Sequence, residues 1–154
     1  MKPVTVSIEV PQTPEQVYAF LDVMAHHARF TDHYLGNWRY SGPERGVGSR
    51  AAVTAALGGT KTEVAIEVVA AEPPRHIVER NVSAGGRRQA RGVYDLEPLP
   101  GGGTRVSFTY TWDRAPLADR LPAPVVRATM RRANRTVMRR LAAELAREAP
   151  APAP

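Results

Sequence analysis

Val4, Val6, Ile8 and Val10 alternate with Thr5, Ser7 and Glu9. That period-two pattern predicts a strand with one buried face, ended by Pro11. Thr13-Pro14-Glu15-Gln16 then reads as a helix start, with Thr13 as N-cap, Pro14 in the first turn and Gln16 completing a capping box. Val17, Phe20, Leu21 and Met24 follow at helical spacing, so this helix turns one stripe inward. A second short helix is predicted over Ala25–Phe30.

From Gly36 the pattern changes to strands cut by turn residues. Extended segments are predicted at Trp38–Ser41, Ser49–Leu57, Thr60–Ala71, His76–Val82, Arg87–Glu97 and Thr104–Trp112. Pro43–Gly46, Gly58-Gly59, Pro73-Pro74, Ala84–Gly86 and Pro100–Gly103 separate them. The alternation is clearest at Val106, Phe108, Tyr110 and Trp112. Such short connections imply antiparallel pairing. Leu121–Pro124 leads into a last helix of about 25 residues. Val126, Met130, Ala133, Val137, Leu141 and Leu145 form its apolar stripe, and Arg131, Arg132, Arg135 and Arg139 take the other side. Residues 149–154, an Ala/Pro repeat, are expected to form a disordered tail.

The predicted order is one strand, two short helices, six antiparallel strands and one long helix. A sheet of seven strands buries its face against one helix only by curling round it. The stretches VTVSIEVPQTPEQVYAFLDV, GPERGVGSR, VVAAEPPRHIVER and YDLEPLPGGGTRVSFTYTW, followed by the long helix, resemble the START-like, or polyketide cyclase/dehydrase and lipid transport (SRPBCC), superfamily. The resemblance implies an α+β helix-grip fold: a curled seven-stranded antiparallel sheet around a long C-terminal helix, with two short helices after the first strand. It also implies a single START-like ligand-binding domain over residues 1–148 and a deep, mostly apolar cavity between sheet and helix. Members of the superfamily bind or transport lipids and other hydrophobic molecules, and some catalyse cyclisation, aromatisation or related steps on them.

Composition narrows the chemistry. The 154 residues are 43% hydrophobic and 23% charged, ordinary for a globular chain. No cysteine is present, which removes disulfides, thiolate nucleophiles and cysteine-held metal sites. No apolar run is long enough to span a bilayer, and the N-terminus lacks the apolar core of a signal peptide, so a cytoplasmic protein is expected. The net charge is +6. Arg127, Arg131, Arg132, Arg135, Arg139, Arg140 and Arg147, set against Glu144 and Glu148, place five of those charges on the last helix. That face is read as solvated, with weak contact to an anionic membrane as the sharper option. Nucleic acid is not expected as a partner, because no aromatic is interleaved with the arginines from Val125 to Glu148. The sequence leaves the oligomeric state open.

Candidate site residues follow from these placements. Tyr94, Tyr110 and Trp112 lie on apolar strand faces and are expected in the cavity wall, with Met130 and Val137 from the helix. Asn134 falls within the helix stripe, where a buried amide needs a partner or anchors a ligand. Arg127 lies beside the stripe and is expected to close the mouth over an acidic ligand group. The cluster from His26 to Tyr34 matches no metal-ligand spacing and reads as a polar loop at the lip of the cavity. Within it, His33 beside Asp32 is the acid–base candidate. Glu63, Glu67 and Glu79 fall in predicted strands, without a carboxylate pair at glycosidase distance. Nucleotide-binding, serine-hydrolase and zinc-protease motifs are absent, and no cofactor or metal is expected. The leading expectation is a binder of a small hydrophobic, lipid- or polyketide-like molecule. The alternative is a polyketide cyclase, aromatase or dehydratase acting on a ligand in the same cavity. Convergence of two or more ionisable groups inside the cavity would favour the enzyme.

Overall fold

A computed structural model of the chain describes residues 1–148. The predicted tail at 149–154 lies outside the described residues. The elements run β1 Val4–Val10, α1 Pro14–Leu21, a 3-10 turn Met24–His26, α2 His27–Thr31, β2 Leu35–Ser41, β3 Arg50–Leu57, β4 Thr60–Glu72, β5 His76–Ser83, β6 Arg88–Pro98, β7 Thr104–Arg114, α3 Leu117–Arg120 and α4 Ala123–Glu148. All seven strands form one antiparallel sheet in the order β1-β7-β6-β5-β4-β3-β2. This is the expected helix-grip architecture.

Strands β1 and β2 are neighbours in the chain but lie at opposite edges of the sheet. The segment between them, α1 and α2, therefore crosses from one edge to the other. Thr13 Oγ1 accepts from the Gln16 backbone at 3.2 Å, and Gln16 Oε1 accepts from the Thr13 backbone at 2.9 Å. The capping box stands as read, a cap worth about 1 kcal/mol. The predicted second helix is split into a 3-10 turn and α2. Two imidazoles at this split reach back to carbonyls left over in the last turn of α1. A His26 Nδ1–H donates to Phe20 O at 2.8 Å, and a His27 Nε2–H donates to Leu21 O at 2.7 Å.

The inner sheet face carries Val4, Val6 and Val10 on β1, Val106, Phe108 and Trp112 on β7, and Gly92, Tyr94 and Leu96 on β6. The outer face of the β1–β7 pair is polar, with hydroxyl pairs Thr5–Thr109 and Ser7–Ser107, each at 2.9 Å. Gly92 is required by close approach. A Cβ there would lie 2.9 Å from the Phe108 ring, which occupies the space above it. Helix α4 packs on β1 and α2. Met138, Leu141 and Leu145 of its C-terminal half are buried with Phe20, Leu21, Leu96 and Val106 in a solid core. Its N-terminal half, with Val126 and Met130, faces a cavity instead. The sequence reading did not anticipate α3, a single turn between β7 and α4. No helix among the described residues is long and apolar enough to cross a membrane.

Leu141 is fully buried where α4 closes the solid end. Leu141→Ala should lower stability by about 2–5 kcal/mol, measured by urea unfolding, because the packed neighbours collapse only partly into the space left.

Candidate functional site

Where the sheet curls away from α4, the two enclose a cavity of about 460 Å³. Tyr94, Tyr110, Trp112, Met130, Asn134 and Val137 all line it. The strands supply Val53, Val64, Ile66 and Phe108, so most of the wall is apolar. Tyr110 and Trp112 meet edge to face at 5.0 Å, and Tyr94 packs on Phe108 at 4.7 Å. Trp38 of β2 completes the aromatic wall, so both tryptophans of the chain line the cavity.

Three expected site residues lie elsewhere. Arg127 does not line the cavity: its Nε donates to Lys2 O at 3.0 Å. The chain start runs along that flank of α4 and offers its carbonyls, which a helical wheel cannot show. Asp32 pairs with Arg140 on α4 rather than with His33. A His33 Nε2–H donates to Ala133 O at 3.2 Å, so the ring is tied to the α4 backbone and does not line the cavity. Burial lowers the His33 pKa below its ordinary value, against the Ala133 carbonyl, which favours the charged ring.

The ionisable residues that do face the cavity are others. His27 and Glu79 are both buried, with Nδ1 3.2 Å from Oε1. The neighbourhood from His26 to Tyr34 is therefore not a lip loop: helix α2 turns His27 inward and His26 against Phe20. Burial raises the Glu79 carboxyl above its usual range, and the nearby imidazole pulls it back only in part. The Leu21 carbonyl can only accept, so His27 Nε2 carries a proton. In the neutral ring Nδ1 is then a lone pair, facing Glu79 Oε1.

Tyr34, Tyr94 and Tyr110 are phenols at any physiological pH. Burial raises all three, Tyr110 to about 12. In the cavity wall, Arg88 of β6 holds Asp119 of α3 in a fork of 2.6 and 2.9 Å and also donates to Ser83. The charge of this arginine is already matched.

Six buried side-chain atoms among the described residues lack an aligned hydrogen-bond partner. Four of them belong to cavity residues: Trp38 Nε1, Glu79 Oε1 and both amide atoms of Asn134. Buried polar atoms are normally satisfied, and these four come from β2, β5 and α4, which face the same cavity. Among the described residues no group of three His, Asp or Glu is placed to hold a metal ion.

Among curated proteins none matches the chain. Solved structures match at low identity. A protein from Thermus thermophilus, TTHA0849, is 20% identical, with 97% of this chain and 100% of that one covered and a TM-score of 0.75. A conserved protein from Geobacillus kaustophilus is 19% identical over 96% of this chain and 97% of its own, with a TM-score of 0.77. The major latex-like protein 151 of Panax ginseng is 11% identical over 93% and 96%, with a TM-score of 0.71. These likenesses speak for the fold alone. The model of one family, described as polyketide cyclase / dehydrase and lipid transport, matches residues 1–148, and the chain belongs to that family.

Proposed function

We propose that the protein binds a small, largely apolar molecule, lipid- or polyketide-like, between the sheet and the N-terminal half of α4. The observation that carries this reading is the cavity of about 460 Å³ with mostly apolar walls, into which Asn134 turns an amide with no protein partner. That combination of apolar bulk and a few polar groups is what orients a ligand in a preformed pocket. The Arg-rich face of α4 is not needed for it. Arg132, Arg135 and Arg139 are exposed on the side of the helix away from the cavity.

A second reading, proton transfer on the bound ligand, is favoured by one observation. His27 and Glu79 converge inside the cavity, 3.2 Å apart, beside the phenols of Tyr34 and Tyr94. A carboxyl whose pKa burial raises keeps its proton to higher pH than an exposed one, and so has a proton to lend to a ligand. In this reading the cavity would fold an extended substrate and Glu79 would serve as its acid or base.

Both readings generate tests. Titration with decanol, followed by the fluorescence of Trp38 and Trp112, should saturate at one site per chain. Asn134→Leu should weaken decanol binding roughly tenfold, the effect of one buried hydrogen bond. It should also raise the Tm of the ligand-free protein by about 2 °C, because an unpartnered amide leaves the interior. Replacing Arg132, Arg135 and Arg139 together with Gln should leave decanol affinity and its salt dependence unchanged; salt-dependent loss would move the function to the basic face.

The proton pair predicts a pH dependence. The folded-state pKa of Glu79 is raised, so its contribution to stability is complete below the ordinary carboxyl value of about 4.3 and is lost as pH rises through the raised one. Glu79→Gln removes that loss. The Tm of the Gln variant minus that of the parent should therefore grow as pH rises above about 4.3 and then level off. A difference that stays flat from pH 4 to pH 9 would mean that Glu79 titrates normally.

A further inference from the structure

We propose that the polar end of the cavity, at Glu79 and His27, accepts a ligand group that donates hydrogen bonds, a hydroxyl or an amine, and turns away carboxylates. The proposal rests on the reading that the cavity holds an amphiphilic ligand, and it specifies the head group.

The argument is an inventory of donors and acceptors. His27 uses its Nε2–H on the Leu21 carbonyl at 2.7 Å. Its Nδ1 lone pair then faces Glu79 Oε1 at 3.2 Å, and that oxygen has no aligned hydrogen-bond partner. Two acceptors thus face each other with at most one proton between them. A hydroxyl or ammonium hydrogen gives the unpartnered Glu79 oxygen a donor. A carboxylate brings another pair of acceptors and a second negative charge.

The charges around the pair reinforce this. Glu79 lies on β5 and is faced by His27 from α2. Tyr94 of β6, Tyr110 of β7 and Tyr34 bring phenols, which donate but carry no charge. The cation in the cavity wall, Arg88, is held in a fork by Asp119 of α3. With one shared proton the His27–Glu79 pair is neutral; with none it carries −1. In neither state does it offer positive charge to an anion, and in low dielectric an unpaired like charge is expensive. Asn134 does not discriminate, because its amide presents one donor and one acceptor group. Selectivity is therefore placed at Glu79.

Three probes of equal chain length test the assignment: decanol, decylamine and decanoate, each below its micelle concentration at pH 8, read by tryptophan fluorescence. Decanol and decylamine should bind the parent protein, and decanoate should bind at least tenfold more weakly than decanol. In Glu79→Gln, whose amide can donate to His27 Nδ1 and keep the fold, the decanol–decanoate gap should close to less than threefold and decylamine should weaken. Circular dichroism and Tm confirm that the variant is folded. Decanoate binding as tightly as decanol to the parent would overturn the proposal while leaving the cavity reading intact. So would a gap that Glu79→Gln leaves unchanged. Failure of all three probes would overturn the cavity reading, and the head-group selectivity with it.

Discussion

A single helix has to cover the inner face of seven strands. Six inter-strand spacings make a flat sheet about 29 Å wide, whereas a helix with its side chains is about 10–12 Å across. Helix α4, 26 residues long, cannot fill that width. The sheet therefore wraps it, and α1 and α2 cross from the β1 edge toward the β2 edge to close the remaining side. Wrapping is tight at the C-terminal half of the helix, where Leu141 and Leu145 meet Leu96 and Val106. It is loose at the N-terminal half, where a stripe of Val126, Met130 and Asn134 faces sheet residues that stand back from it. The cavity is thus the geometric remainder of a wide sheet gripping a narrow helix.

That remainder changes how buried polar groups are to be judged. An unpartnered amide or carboxyl in solid core costs about 1–3 kcal/mol, a large share of a total stability of about 5–15 kcal/mol. Facing a cavity, the same group can bond to solvent or to a ligand. A ligand entering must then reproduce those hydrogen bonds or lose affinity. Asn134 and Glu79 are tolerated for this reason. They set a minimum polarity for whatever binds, while the walls of Val53, Val64, Ile66 and Phe108 set its apolar bulk.

The architecture was legible because each of its parts has a local signal. Alternation marked β1 and β7, Gly-Gly marked the β3–β4 turn, and Thr13 to Gln16 marked the start of α1. The helix side of the cavity was legible for the same reason: a 100° step per residue places Asn134 among apolar neighbours wherever the helix packs. The other half was hidden by β5. Its alternation is reversed, with Val78 and Val82 on the outer face and Glu79, Asn81 and Ser83 turned toward the cavity. Read alone, that strand points its carboxylate at solvent. The signal was in the pairing: Gly92, Tyr94 and Leu96 share the inner face of β6, and the hairpin register sets Glu79 opposite Gly92 and Ile77 opposite Tyr94. Arg127 and His33 failed for a different reason. Both were placed correctly on their own elements, but their partners, the Lys2 and Ala133 carbonyls, come from more than 95 residues away in the chain.

Charge abundance and charge effect also part company in this molecule. Most of its net charge lies on α4, yet Arg140 and Arg147 are matched by Asp32 and Glu144, and Arg132, Arg135 and Arg139 stand in water, where salt screens them. The cavity holds far fewer ionisable groups, but each acts in low dielectric, where the same unit of charge weighs several-fold more. In the cavity wall Arg88 and Asp119 form a fork whose charges cancel, while the His27–Glu79 pair is buried with no further cation beside it among the described residues. The head-group discrimination proposed above therefore rests on a single buried carboxyl, Glu79, and not on the helix face that dominates the charge count.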